Sequence, residues 1–248
     1  MGNKKLEVKD VTVEINGNTI IDNISINLYE GEIISILGTS GGGKTTLFNV
    51  IAGLIIPKKG KVNLNAENIT GKTGKISYML QKDLLLPFKT IIDNVSLPLI
   101  IRGEKKQDAR EKVSKYFKQF GLEGTENFYP KLLSGGMRQR AALLRTYMFS
   151  NEIALLDEPF SALDAITKQK MHNWYIELMK NIKMSTLFIT HDIDEAILLS
   201  NRIYILGDKP GRILTEIKIE LDKMKTVDEL VMMPKFLEYK NEIKRYLK

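Results

Sequence analysis

Residues Gly38-Thr39-Ser40-Gly41-Gly42-Gly43-Lys44-Thr45-Thr46 fit the pattern G-x-x-x-x-G-K-[ST], a composition suited to holding a chain of phosphates. Glycines let successive backbone N–H groups turn inward around phosphate oxygens with no Cβ in the way. A helix starting at the lysine adds unpaired N–H donors and the positive end of its dipole. Lys44 would then reach the β- and γ-phosphates, and the Thr45 hydroxyl would ligate Mg2+. A second cluster follows the apolar run IALLD: Asp157 closes it and Glu158 comes next. Asp157, at the end of a buried strand beside a phosphate loop, suits a holder of Mg2+. Glu158 lies one residue further, so its side chain is expected to face the site and to accept a proton from attacking water. Two weaker signals remain. Ser134-Gly135-Gly136 opens the helical run GMRQRAALLRTYMFS, either as a plain helix cap or as a second N–H-rich start awaiting an anion. His191 ends the run STLFIT, where packing or a polar site are both open to it. His172 falls in mid-helix and reads as structural.

These residues need elements to carry them. LEVKDVTVEI and IIDNISINL alternate like strands, with Asn16-Gly17 as the hairpin turn between them. GEIISILG is an apolar run flanked by glycine, suited to a strand buried on both faces. Helical spacing follows Lys44 through TTLFNVIAGL; KKGKVNL and GKISYML read as further strands. Residues 90–149 are mostly helical in pattern, and Thr90 with Asp93 has the form of a capping box. Strand and helix then alternate: IALLD, a helix over 165–183, STLFIT, a short helix over 192–199, RIYIL and RILTEIKIE. The pattern predicts an α/β nucleotide-binding core over 1–84 and 151–220, a helical subdomain over 85–150, and a helical tail over 221–248. The tail helix, MMPKFLEYKNEIKRYLK, has apolar positions at Phe236, Leu237, Ile243 and Leu247.

Taken in order, the motifs resemble those of the ATP-binding subunits of ABC transporters. LSGGMRQR at 133–140 is similar to the family's LSGGQ signature, with Met137 in the fifth place. Gln81 looks like the Q-loop glutamine, SALD at 161–164 like the D-loop, and His191 like the switch histidine. The resemblance implies a P-loop NTPase core of ABC ATPase type with an N-terminal antiparallel β-subdomain and an inserted α-helical subdomain. It also implies ATP and Mg2+ as cofactors, with Thr45, Asp157 and Gln81 around the metal. Two such domains then pair head to tail, as a homodimer or pseudo-dimer. Each ATP lies between one copy's 38–46 loop and the other's Ser134 and Gly136. His191 holds γ-phosphate and water in line with Glu158, and Asp164 helps couple the two sites. Where relatives stack an aromatic ring on adenine, the matching position is Ile15, which predicts weaker base discrimination.

LLPFKTIIDNVSLPLIIRG is similar to a stretch in the nitrate, sulfonate and taurine uptake group. By that likeness the chain is the motor of a bacterial importer, peripheral on the cytoplasmic side of the membrane. Its partners are then integral membrane permease subunits docking near 81–103 and an external solute-binding protein. The same layout serves exporters and lipid- or lipoprotein-extracting complexes. Soluble ABC-type ATPases of DNA repair or translation usually carry coiled-coil insertions or two ATPase halves, which this sequence lacks.

Composition is compatible with all of this. Cysteine is absent, which removes disulfide, thiolate and zinc-thiolate chemistry. No apolar run approaches the length of a membrane span, and the N-terminus lacks the apolar segment of a secretory signal. The net charge of +7 is spread over scattered lysines, so it reads as a solvated surface and not as a nucleic-acid track.

Overall fold

The computed structural model describes residues 2–150, 152–222 and 225–247. Met1, Asn151, Lys223, Met224 and Lys248, which belong to the core and tail segments expected above, lie outside the described residues.

The chain opens with two long strands, β1 (Lys4–Ile15) and β2 (Asn18–Tyr29). They join through Asn16 and Gly17, both at positive φ, the backbone of a two-residue hairpin turn that splays neither strand. With β4 (Lys59–Leu64) and β5 (Glu67–Asn68) they form an antiparallel sheet of order β2-β1-β4-β5. The short β5 was not expected.

The larger sheet uses β3 (Ile33–Gly38), β6 (Ser77–Met79), β7 (Ile153–Asp157), β8 (Ser185–Thr190), β9 (Arg202–Leu206) and β10 (Ile213–Lys218). Its order is β10-β9-β3-β8-β7-β6, parallel except for the antiparallel edge strand β10. Alternation along each strand feeds two cores. Ile34, Ile36, Leu155, Leu187 and Ile189 pack toward the antiparallel sheet and α1 (Lys44–Ile51). Leu37, Leu156, Phe188, Ile203 and Ile205 pack toward the helices on the other face. Both faces are covered, so the strands read as continuous apolar runs, and each buried Leu or Ile contributes about 1.5–3 kcal/mol. A parallel sheet gathers its loops at the C-terminal strand ends, and Gly38, Asp157 and Thr190 all stand there.

Between β6 and β7 come α2 (Ile91–Ile101), α3 (Lys106–Phe117), a 3-10 turn at Pro130–Leu132 and α4 (Gly135–Phe149). The capping box expected at Thr90 is half made. Thr90 Oγ1 accepts the N–H of Asp93 at 3.4 Å. The Asp93 carboxylate, however, goes to Arg110 at 2.7 and 2.9 Å and to Lys106 at 3.2 Å. Aspartate is one methylene shorter than the glutamate of a full box, and two cations on α3 compete for it. A complete box forms instead at Thr226 and Glu229, opening the unforeseen α7 (Val227–Val231).

After β7 come α5 (Ala165–Asn181) and α6 (Ile193–Leu199), and α8 (Pro234–Tyr246) lies in the tail. Phe236 and Ile243 of α8 are buried in the helical-side core, whereas Leu237 is exposed. Lys240 pairs with Asp194 of α6 at 2.6 Å.

Candidate nucleotide site

The loop between β3 and α1 is shaped by what surrounds it. Gly41 and Gly43 sit at φ +85° and +93°, the left-handed region where a side chain is strained. A Cβ on Gly43 would lie 2.4 Å from Ile21 Cγ2, and one on Gly38 would lie 2.5 Å from the Leu206 carbonyl oxygen. The loop is therefore wedged between the first hairpin and the segment after β9. Gly43 caps α1 without any side-chain acceptor, and the helix's first turn carries no acidic residue. Its N-terminal N–H groups are thus left to an anion. Lys44 is buried, and its ammonium donates to the carbonyls of Gly38 at 2.9 Å and Thr39 at 2.6 Å. Burial pushes the Lys44 pKa below the ordinary lysine value, against the pull of Glu158, Asp157 and Asp208. Thr39 Oγ1 donates to Asp208 Oδ1.

Asp157 closes β7 two strands from the loop, with β8 between. Burial, then the neighbouring Glu158 charge, raises its pKa above the usual carboxylate range; Tyr78, Lys44 and the Thr45 hydroxyl oppose this. Tyr78 of β6 donates to Asp157 Oδ2 at 3.4 Å, and its phenol is in turn raised by burial and by that carboxylate.

Glu158 adopts φ +46°, a left-handed conformation that costs a non-glycine residue about 1–3 kcal/mol and is held by its surroundings. Its N–H donates to the Ile189 carbonyl on β8 at 3.0 Å. One carboxylate oxygen accepts from Gln81 Nε2 at 3.1 Å, and the other lies 3.3 Å from His191 Nδ1. The His191 side chain is 56% exposed, which sets aside the packing reading of this residue. Glu158, Gln81 and His191 share the wall of an open groove of ≈ 820 Å³ with Gly135 and Leu163.

Ser134 caps α4, accepting the Met137 N–H at 3.3 Å. Gly135 and Gly136 have a packing role: Cβ atoms there would meet Leu163 Cδ2 at 3.4 Å and Thr167 Cγ2 at 3.3 Å. Asp164 caps α5 through the Thr167 N–H at 3.0 Å, and these hydrogen bonds hold its carboxyl below the usual range. The start of α4 and the 161–164 turn therefore lie against each other. Among the described residues no hydrogen bond or ion pair joins Ser134 or Gly136 to residues 38–46. Ile15 ends β1 opposite Asn18 and is 42% exposed.

Three contributors escaped the sequence reading. The Gly207-to-Arg212 segment props the phosphate loop: a Cβ on Gly211 would stand 2.1 Å from the Gly42 carbonyl oxygen. Gly211 also exchanges main-chain hydrogen bonds with Ile20 and Asp22 at 2.8 and 2.9 Å, and Arg212 pairs with Asp22 at 2.5 Å. Tyr78 supports Asp157. Asp83, two residues past Gln81, is tied to α4: Arg138 binds its carboxylate at 3.2 Å and Arg145 its carbonyl at 2.5 Å. Gly-Asp-Lys-Pro-Gly was legible as a loop, but nothing in it tells which loop it meets.

A mixed α/β sheet with a glycine loop from a central strand and acidic residues at the end of a strand two places away defines a P-loop nucleotide-hydrolysing protein. Residues 21–161 match the family model described as ABC transporter. The formylaminopyrimidine import ATP-binding protein ThiZ of Halalkalibacterium halodurans is 44% identical over 87% of this chain and 85% of its own. The nitrate import ATP-binding protein NrtD of Synechocystis is 35% identical over 98% and 95%. A solved dimeric structure of MJ0796, described as a bacterial ABC transporter cassette, superimposes with TM-score 0.73 at 29% identity, covering 88% of this chain and all of that one. The chain belongs to the ATP-binding proteins of ABC transporters, and it is an ATPase whose hydrolysis powers transport.

Proposed function

We propose that the chain is the motor subunit of a bacterial importer for a small solute, and that two copies enclose ATP head to tail. The reading is carried by Glu158, whose carboxylate is bracketed by Gln81 and His191 at the strand-end face that also presents the phosphate loop.

In this reading the 38–46 loop and Lys44 bind the β- and γ-phosphates, leaving the carbonyls of Gly38 and Thr39 for the stronger charge. Glu158 takes a proton from water, with Gln81 and His191 fixing its two oxygens. His191, exposed to the groove, orients the water and terminal phosphate. Thr45 and Asp157 fit Mg2+, since both offer oxygen and Asp157 is buried beside Lys44. Among the described residues no group of three or more His, Cys, Asp or Glu could hold a metal, so phosphate oxygens would complete the ion's shell. Bound there, Mg2+ would neutralise charge on the phosphates. Among the described residues no hydrogen bond or ion pair joins Ser134 or Gly136 to the loop of their own copy, and the second copy's loop is their partner in this reading. Asp164, capping α5 beside Gly136, lies where the two sites would sense each other.

The division into core, helical subdomain and tail gives the permease its seat. Leu54 of the core and Leu84, Leu86, Leu97, Pro98 and Ile101 of the 81–103 region expected to meet it line an apolar groove of ≈ 520 Å³. No helix among the described residues is long and apolar enough to cross a membrane, so membrane subunits supply the path, with the chain peripheral on the cytoplasmic face. Import is supported by the roles named for the formylaminopyrimidine and nitrate import relatives, and an importer implies an external solute-binding protein.

The test is complementation in trans. Ser134→Arg and Lys44→Ala should each be folded and inactive. Mixed in equal amounts, they form heterodimers with one intact site, and hydrolysis should return. No recovery on mixing, where heterodimers of Lys44→Ala with the parent do hydrolyse ATP from their one intact site, rules out a site shared between copies. Co-purification with an exporter-type membrane subunit, and with no solute-binding protein, overturns the import reading.

A further inference from the structure

His172 sits in the middle of α5, between the two segments that carry Glu158 and His191. Its ring stands edge-on to Phe160, with centroids 5.2 Å apart at 79°, and Phe160 is two residues past Glu158. On its other side Nε2 faces Glu195 Oε2 at 3.8 Å, and Glu195 lies one turn into the helix that begins just after His191. Both side chains are buried, at 7% and 3% exposure.

The approach segments are short and tied. The Ser161 hydroxyl donates to the Glu158 carbonyl at 2.9 Å, which fixes the turn carrying Phe160. Asp192 caps α6 through the N–H groups of Asp194 and Glu195 and accepts from Lys168 of α5 at 3.2 Å. Lys168 and His172, one turn apart on α5, thus face Asp192 and Glu195, nearly one turn apart on α6. The inner pair is the costly one: His172 Nε2 and Glu195 Oε1 are buried without a hydrogen-bond partner. Leaving such atoms unsatisfied is destabilising, and two apolar side chains of similar volume are often stability-neutral or better. The pair is thus a poor device for stability and a good one for fixing where two elements sit.

We propose that His172 and Glu195 are a positioning pair for hydrolysis: from inside the α5–α6 interface they set the separation of the Phe160 turn and the first turn of α6, and so hold His191 on Glu158. The proposal rests on the roles of Glu158 and His191 given above.

Steady-state ATP hydrolysis by the full chain tests it, with kcat and KM separated and Tm measured alongside. His172→Leu combined with Glu195→Leu removes the pair without leaving an unpaired charge. Its Tm should be unchanged or higher and its KM within twofold of the parent, while kcat falls about tenfold, since displacements well under an ångström at reacting groups have effects of this order. His172→Arg, which places a nitrogen donor facing Glu195, should recover most of the kcat. Parental kcat in a stable double variant overturns the proposal, as does a loss of kcat that merely follows a loss of Tm. If the double variant does not fold, His172→Gln decides on the same two criteria. Glu158→Gln and His191→Ala run in parallel: if these keep parental turnover, the site reading has failed; if they lose it while the pair variants do not, only the positioning role has.

Discussion

Glu158 and His191 meet across the ends of adjacent parallel strands, Oε1 of one standing 3.3 Å from Nδ1 of the other. The contact follows from register. Asp157 pairs with Ile189, and the Glu158 N–H is tied to the Ile189 carbonyl, so the residues that follow each strand end are brought face to face. The left-handed backbone of Glu158 turns its side chain out of the sheet direction and into the groove.

That backbone predicts a trade between stability and activity. Glu158→Gly relieves a positive φ and should raise unfolding free energy by up to about 1 kcal/mol while abolishing turnover. Glu158→Gln keeps the strain and the shape; it should leave ATP binding intact and lower turnover by about 10²–10⁴-fold. Chemical denaturation and single-turnover hydrolysis of both variants check the pair of outcomes. Glu158→Gly less stable than the parent removes the strain argument.

Gly211→Ala should weaken ATP binding at least tenfold although no residue of the phosphate loop is replaced. A Cβ at this position has 2.1 Å to the Gly42 carbonyl oxygen, so the loop backbone must move. Isothermal titration with a non-hydrolysed ATP analogue reads the effect, and unchanged affinity shows that the loop does not depend on its neighbour.

The α2–α3 junction should be acid-sensitive through Asp93. The Arg110 hydrogen bonds, with Lys106 beside them, hold its carboxyl down to about 2 from an ordinary 3.8. A carboxyl lowered in the folded state contributes stability that is full above the unfolded value and is lost as pH falls through the folded one. The stability difference between the parent and Asp93→Asn should therefore be constant from pH 7 to about 4 and shrink toward pH 2. Partial exposure of Arg110 and Lys106 limits it to about 1 kcal/mol. A difference that grows as pH drops through this window contradicts the assignment.

Ile15 should leave the base weakly discriminated. An aliphatic side chain covers one face of a purine but lacks the stacking contribution of an aromatic ring, about 0.5–1.5 kcal/mol. ATP and GTP affinities are expected to agree within a hundredfold, and Ile15→Tyr should tighten ATP binding about fivefold. Competition binding measures both, and a parental preference above a hundredfold refutes the placement of Ile15 at the base.

Local chemistry made the phosphate loop legible, because glycine spacing, a lysine and a following helix are all neighbours in the chain. Strand alternation was legible for the same reason, as was the Asn16-Gly17 turn. The expected box at Thr90 failed because its second half depended on Arg110 and Lys106, which arrive from another helix. His172 read as an ordinary mid-helix residue, since nothing within several positions of it shows that Phe160 and Glu195 close on it from two sides.

The sequence by itself determined which side chains this protein can bring to a phosphate and a water molecule, since residue type and spacing along one strand-loop-helix carry that information. Tertiary structure alone decided who meets whom: Gln81 with Glu158 across 77 positions of chain, Gly211 against Gly42, Arg138 and Arg145 on Asp83. Those meetings depend on strand order and on how closely two backbones approach, and both are properties of the packed sheet that no short window of residues encodes.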